Sequence, residues 1–150
     1  RQLQQKLAAL TGPLKIMVFS CRQAADWQTF ADAATAVLPL ECAGMLPPSF
    51  VEYATRLGAD GVVIAGCREC DCEFRLGDRW VQDRLSGVRE PRLRAAAPRE
   101  RIAVVWAGSQ QTLLAETIDG LRFRLKSGIA LSDSQTINTL DGTLHEPHDD

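Results

Sequence analysis

The segment GVVIAGCRECDC, residues 61–72, constrains this chain more than any other. Its first five residues form a short, unbroken apolar run. That is the signature of a strand buried on both faces, and such strands belong to parallel sheets. Gly66 follows at once, and then Cys67, Cys70 and Cys72 crowd the next six positions. A loop leaving a buried parallel strand opens at the carboxyl edge of its sheet, which is where open α/β folds bind ligands.

The same pattern recurs outward from this segment. Residues 14–20 (LKIMVFS) read as a first strand that stops at Cys21, residues 38–42 (LPLEC) as a brief second strand that ends in Cys42, and residues 102–107 (IAVVWA) as a fourth. Helical spacing fills the intervals. Ala25, Phe30, Ala33, Ala34 and Val37 predict a helix over 25–37, with Pro39 marking its end. Ser49 caps a second helix reaching Leu57, with Phe50, Tyr53, Ala54 and Leu57 as its inner face. Leu76, Trp80, Val81, Leu85 and Val88 mark a third, which fades into a proline-containing connection over 91–99. Leu113, Leu114, Thr117, Ile118 and Leu121 line the last. The GADG at 58–61 is a helix stop and strand start; neither a GxGxxG nor a GxxxxGK[ST] phosphate loop occurs.

Four alternations of strand and helix predict an α/β fold: a flavodoxin-like, doubly wound, four-stranded parallel sheet of order 2-1-3-4, with right-handed crossovers and helices on both faces. That order makes strands 1, 2 and 3 neighbours. Cys21, Cys42 and the 67–72 loop then meet at three adjacent carboxyl ends. Around this core we expect a lead-in helix or linker over 1–13, stopped by Thr11, Gly12 and Pro13, the domain proper over 14–126, and an irregular tail over 127–150.

Composition narrows the function. A chain of 150 residues with 45% hydrophobic and 24% charged residues suits one globular domain, and a net charge of -2 gives no reason to expect nucleic acid or an anionic membrane. Charge is locally uneven: Arg75, Arg79, Arg84, Arg89, Arg92, Arg94, Arg99 and Arg101 outnumber Asp78, Asp83, Glu90 and Glu100 in one stretch, read as a solvated helix face or a docking face for an acidic partner. No run of 18 apolar residues occurs and no secretory h-region opens the chain, so we expect no membrane span and a cytoplasmic location. The chain starts at Arg1 without methionine, as a processed or excised polypeptide does. Five cysteines outside a small secreted framework do not predict a disulfide set.

Several chemistries compete for these cysteines. Cys21 and Cys42 taken singly are ordinary buried hydrophobes. Four converging thiolates suit an iron-sulfur cluster or a structural zinc site, and spacing does not separate the two. Cys67 and Cys70 also form a C-x-x-C of the thiol-disulfide kind. Gly66, Ala43 and Gly44 beside the cysteines allow the close backbone approach that a cluster needs. His145 and His148, the only histidines, lie in the tail and support neither a catalytic base nor a His-ligated centre. No nucleophile has a plausible base, so independent catalysis is not expected. Trp27, Trp80 and Trp106 read as core or interface aromatics, with Trp27 the one nearest the site.

The runs IMVFSC at 16–21, ECAGML at 41–46 and above all ADGVVIAGCRECDCEFRLGD at 59–78 resemble the iron-sulfur delta subunit family of methyl-viologen-reducing hydrogenase, over roughly residues 14–125. This domain also occurs fused to heterodisulfide-reductase-like and ferredoxin-like modules. The resemblance implies one 2Fe-2S cluster on Cys21, Cys42, Cys67 and Cys72. It implies electron relay between a hydrogenase or formate dehydrogenase type partner and a flavoprotein or heterodisulfide-reductase-like subunit. Two departures stand out. Ser20 and Ala24 replace further cysteines that family members commonly carry, and Cys70 stands at a position that is usually glycine, making it an alternate ligand. A non-redox scaffold domain, with zinc or with no metal, is the competing reading.

Overall fold

The computed structural model describes residues 1–22, 27–68, 72, 76–108 and 110–127. Cys70, Arg75, the side chain of Trp27 and the tail with His145 and His148 lie outside the described residues. Four parallel strands, β1 (Ile16–Cys21), β2 (Thr35–Leu40), β3 (Gly61–Gly66) and β4 (Ile102–Trp106), form one sheet of order β2-β1-β3-β4. The flavodoxin-like order 2-1-3-4 is therefore the order found. Register is continuous across the centre: Val18 pairs with Val37 on one side and Val63 on the other, and Val63 with Ala103.

Strand alternation divides the core into two layers. Met17, Phe19, Ala36, Leu38, Val62, Ile64, Ile102 and Val104 face α1 (Gln2–Ala8), α2 (Pro48–Arg56) and α3 (Gly77–Ser86), which contribute Leu3, Leu7, Val51, Ala54, Val81 and Leu85. Ile16, Val18, Val37, Val63, Ala65, Ala103 and Val105 face α4 (Gln111–Ser127), which contributes Leu114, Ile118 and Leu121. Both faces of β1 and β3 are buried throughout, hence their unalternating sequences. The N-terminal segment is part of this packing, with Leu3, Leu7 and Leu10 all buried.

The expected helix over 25–37 is not what forms there. Among the described residues, only a 3₁₀ turn at Trp27–Phe30 appears before β2 begins at Thr35. The free edge of β1 takes a pairing strand, and Ile16 N–H donates to Ala34 O at 2.8 Å at its start. The Asp32 carboxylate accepts from Ala34 N at 2.8 Å, a local bond that competes with helix. Pro39 belongs to β2, the edge strand, where a missing N–H is tolerated.

Two helix faces also differ from expectation. α2 starts at Pro48 after Pro47, without a Ser49 cap, the fixed φ of proline serving at its first turn. It buries Val51, Ala54 and Glu52 and leaves Phe50 and Tyr53 outside. Ala54 is fully enclosed, so close approach to the sheet selected that face. Glu52 is buried as an anchor: it accepts from Arg94 N at 3.1 Å and pairs with Arg94 at 3.5 Å and Arg56 at 3.6 Å, strapping the 91–98 connection to α2. In α3, Val81 and Leu85 are buried while Leu76, Trp80 and Val88 are exposed.

Candidate metal centre

Three of the cysteines reach the site through strand ends. Cys21 is the last residue of β1, Cys67 directly follows β3, and Cys42 lies two residues beyond β2, opening a 3₁₀ turn at Ala43–Met45. Cys72 closes the set from the loop before α3. Cys21, Cys42 and Cys67 are buried and Cys72 is half-buried; all four are free thiols.

The sulfurs stand as two pairs. Cys21 Sγ and Cys67 Sγ are 3.3 Å apart, and the Cys21 thiol also donates to Glu41 O at 3.7 Å. Cys42 and Cys72 meet over Gly77: a Cβ built on Gly77 would overlap Cys42 Sγ and lie 3.2 Å from Cys72 Sγ. The pairs are close enough to repel one another as charges, Cys67 against Cys42 and Cys72, and Cys42 against Cys21. Among the described residues, no three His, Cys, Asp or Glu side chains enclose a single metal ion.

Protonation follows from this crowding. Burial first, then the hydrogen bond and charge of Cys21 and the charges of Cys72 and Cys42, push the Cys67 thiol up to about 12. Burial and Cys72 raise Cys42 above its ordinary value of 9.0, opposed by the Gly44 amide. Unliganded, both are neutral thiols at physiological pH. A cation able to bind thiolates must displace their protons.

The surrounding backbone is built for sulfur. Gly44 N–H donates to Cys42 Sγ at 3.3 Å, the kind of amide contact that stabilises a thiolate. Gly44 packs directly on the Gly77 backbone, where a Cβ would approach to 2.5 Å. Arg84 Nη1 donates to Gly44 O at 2.7 Å, tying that turn to α3. Gly66 lies under the Trp106 ring, whose half-buried indole packs on the core cluster that includes Cys67. Arg22 pairs with Glu41 at 2.5 Å on the exposed rim. Gly44 and Gly66 stand out in the sequence by their place beside cysteines, whereas Gly77 and Arg84 do not. The one signal for Gly77 was a glycine opening a helix five residues after a cysteine.

A family profile described as methyl-viologen-reducing hydrogenase, delta subunit, matches residues 16–127. The chain is similar to the iron-sulfur subunit of the F420-non-reducing hydrogenase vhc of Methanococcus voltae, 28% identical over 109 residues that cover 65% of this chain and 73% of the relative. The corresponding iron-sulfur subunit of the F420-non-reducing hydrogenase of Archaeoglobus profundus is 29% identical over 83 residues, covering 55% of this chain and 61% of the relative. One subunit of the ferredoxin:CoB-CoM heterodisulfide reductase of Methanosarcina mazei is 28% identical over 75 residues, half of this chain but only 10% of that much longer protein.

Proposed function

The chain belongs to the methyl-viologen-reducing hydrogenase delta-subunit family, and from that premise we propose that it is an electron-relay module holding one 2Fe-2S cluster on Cys21, Cys42, Cys67 and Cys72. The observation that carries this reading is the arrangement of four thiols from three strand ends as two pairs, largely shielded from water. A tetrahedral zinc ion with bonds of about 2.3 Å needs all four sulfurs mutually within roughly 4 Å. A two-iron core asks for two thiolates at each of two irons, and two separate pairs support that demand. When bound, such a cluster supplies one-electron transfer. Cys21, Cys42, Cys67 and Cys72 would hold it, and Gly44 N–H would hydrogen-bond the Cys42 ligand.

The relatives are subunits of hydrogenases and heterodisulfide reductases, which supports assembly into an oxidoreductase complex. In this reading electrons pass between a hydrogenase or formate dehydrogenase type subunit and a flavoprotein or heterodisulfide-reductase-like subunit. No described helix is long and apolar enough to cross a membrane. A cytoplasmic setting is part of this reading. Anaerobically purified protein is expected to be brown, to bleach with dithionite, and to contain equal iron and acid-labile sulfide at a cluster's worth per chain. Colourless protein with stoichiometric zinc would replace this function with a structural one.

A further inference from the structure

Large apolar side chains gather on the surface beside the cysteines: Met45 is 66% exposed, Leu76 45% and Trp80 37%. Their placement follows from the site. Met45 succeeds Gly44 and Leu76 precedes Gly77, the two glycines whose backbones touch. Trp80 lies one turn beyond Gly77, and one turn further Arg84 reaches back to the Gly44 carbonyl. The contacts between α3 and the Ala43–Met45 turn thus bracket Trp80, and Gly77, next to Leu76 and one turn before Trp80, is the residue whose built Cβ lies 3.2 Å from Sγ of the half-buried Cys72. Single exposed apolar residues are ordinary, but a group at the mouth of a site marks an interface.

The rim is basic. The Arg89 guanidinium sits 5.1 Å from the Trp80 ring centroid, and Arg79 and Arg68 are exposed. Over 68–101 nine arginines stand against seven carboxylates, a local positive excess in a chain whose net charge is -2. Arg92, Arg94 and Arg99 are engaged by Glu90, Glu52 and Leu85 O respectively. Among the described residues the Arg79 and Arg89 guanidinium groups have no carboxylate partner, although Arg79 N–H donates to the Asp78 carboxylate. A second copy of the chain fits poorly, because a two-fold contact would set arginine against arginine.

We propose that this patch docks an acidic-surfaced electron-carrier protein, the apolar trio meeting its centre and Arg79 and Arg89 its carboxylate rim. The proposal rests on the electron-relay reading and adds the surface and chemistry of the partner. The probe is a plant-type ferredoxin, a small acidic iron-sulfur protein, titrated calorimetrically into the full chain at low and high salt. Binding is expected to saturate and to weaken about tenfold or more with salt. Trp80→Ala and the pair Arg79→Glu with Arg89→Glu should each weaken it at least about tenfold with thermal melting unchanged. Phe123→Ala, at an exposed position of α4 on the opposite face of the sheet, should leave it as it was. Equal binding by the patch variants, no salt dependence, or a concentration-dependent dimer that Trp80→Ala dissolves would each overturn the proposal. Iron and sulfide assays on the same samples separate the two claims. An iron-free chain that binds through the patch supports docking and sinks the cluster. A loaded chain that ignores ferredoxin sinks docking alone.

Discussion

Gly77→Ala asks one methyl group to distinguish a cluster site from a cluster of thiols. The added Cβ would overlap Cys42 Sγ and press to 3.2 Å against Cys72 Sγ. In metal-free protein both sulfurs are ends of short, rotatable side chains. Turning one off its rotamer costs about 0.5–1.5 kcal/mol, and alanine in place of glycine in a helix returns about 0.5–1 kcal/mol. The net change is near zero, and a shift of about 1 kcal/mol in a chain of this size moves the melting temperature by only about 2–4 °C. Sulfurs bonded to iron have no such freedom. The methyl then displaces a ligand or pushes α3 away from the Ala43–Met45 turn, an overpacking penalty of about 1–3 kcal/mol that falls on the loaded state alone. We therefore expect Gly77→Ala to melt like the parent when metal-free, yet to retain less than half the parent's iron and sulfide after anaerobic reconstitution. Gly120→Ala, whose Cβ meets nothing within 4 Å, is the control for glycine removal in a helix. Full iron content and an unchanged visible spectrum in Gly77→Ala would refute the argument.

Gly44→Ala should behave differently, since its Cβ meets the unyielding Gly77 backbone at 2.5 Å; a loss of about 1–3 kcal/mol is expected in the metal-free protein too, read by urea denaturation. Cys72→Ser is expected to lose the cluster and Cys70→Ser largely to keep it, measured as iron per chain; the reverse would move the loop ligand to Cys70. Because the Cys67 thiol is pushed up to about 12 from 9.0, its contribution to metal-free stability is complete below about pH 9 and lost as pH rises toward 12, so thermal melts should fall across that interval and the fall should diminish in Cys67→Ser. Glu52→Ala strands the Arg94 amide and frees the 91–98 connection, which should cost about 1–3 kcal/mol in chemical denaturation.

Local sequence was enough to find the strands' order and the two central strands, but not the bounds of β2, expected at 38–42 and found at Thr35–Leu40. Strands buried on both faces must be apolar at every position, so residues 16–21 and 61–66 are recognisable without reference to anything distant, and the alternation of units leaves few ways to order them. It was also enough to show that cysteines would collect at one edge, because Cys21, Cys42 and Cys67 each stand at or just beyond a strand's carboxyl end. The rest came from contacts between segments. Residues 25–37 carry helical periodicity, but β1 needed an edge partner and hydrogen-bonding demand outweighed local propensity. α2 presents Val51 and Ala54 inward in place of Phe50 and Tyr53 because distance to the sheet, which no periodicity encodes, favoured the smaller face. The pairing of Cys21 with Cys67 and of Cys42 with Cys72 depends on register between strands and on a glycine-to-glycine contact 33 positions apart in the chain, from Gly44 to Gly77. A segment's own residues limit what it can become, whereas packing against remote segments sets which sulfur meets which.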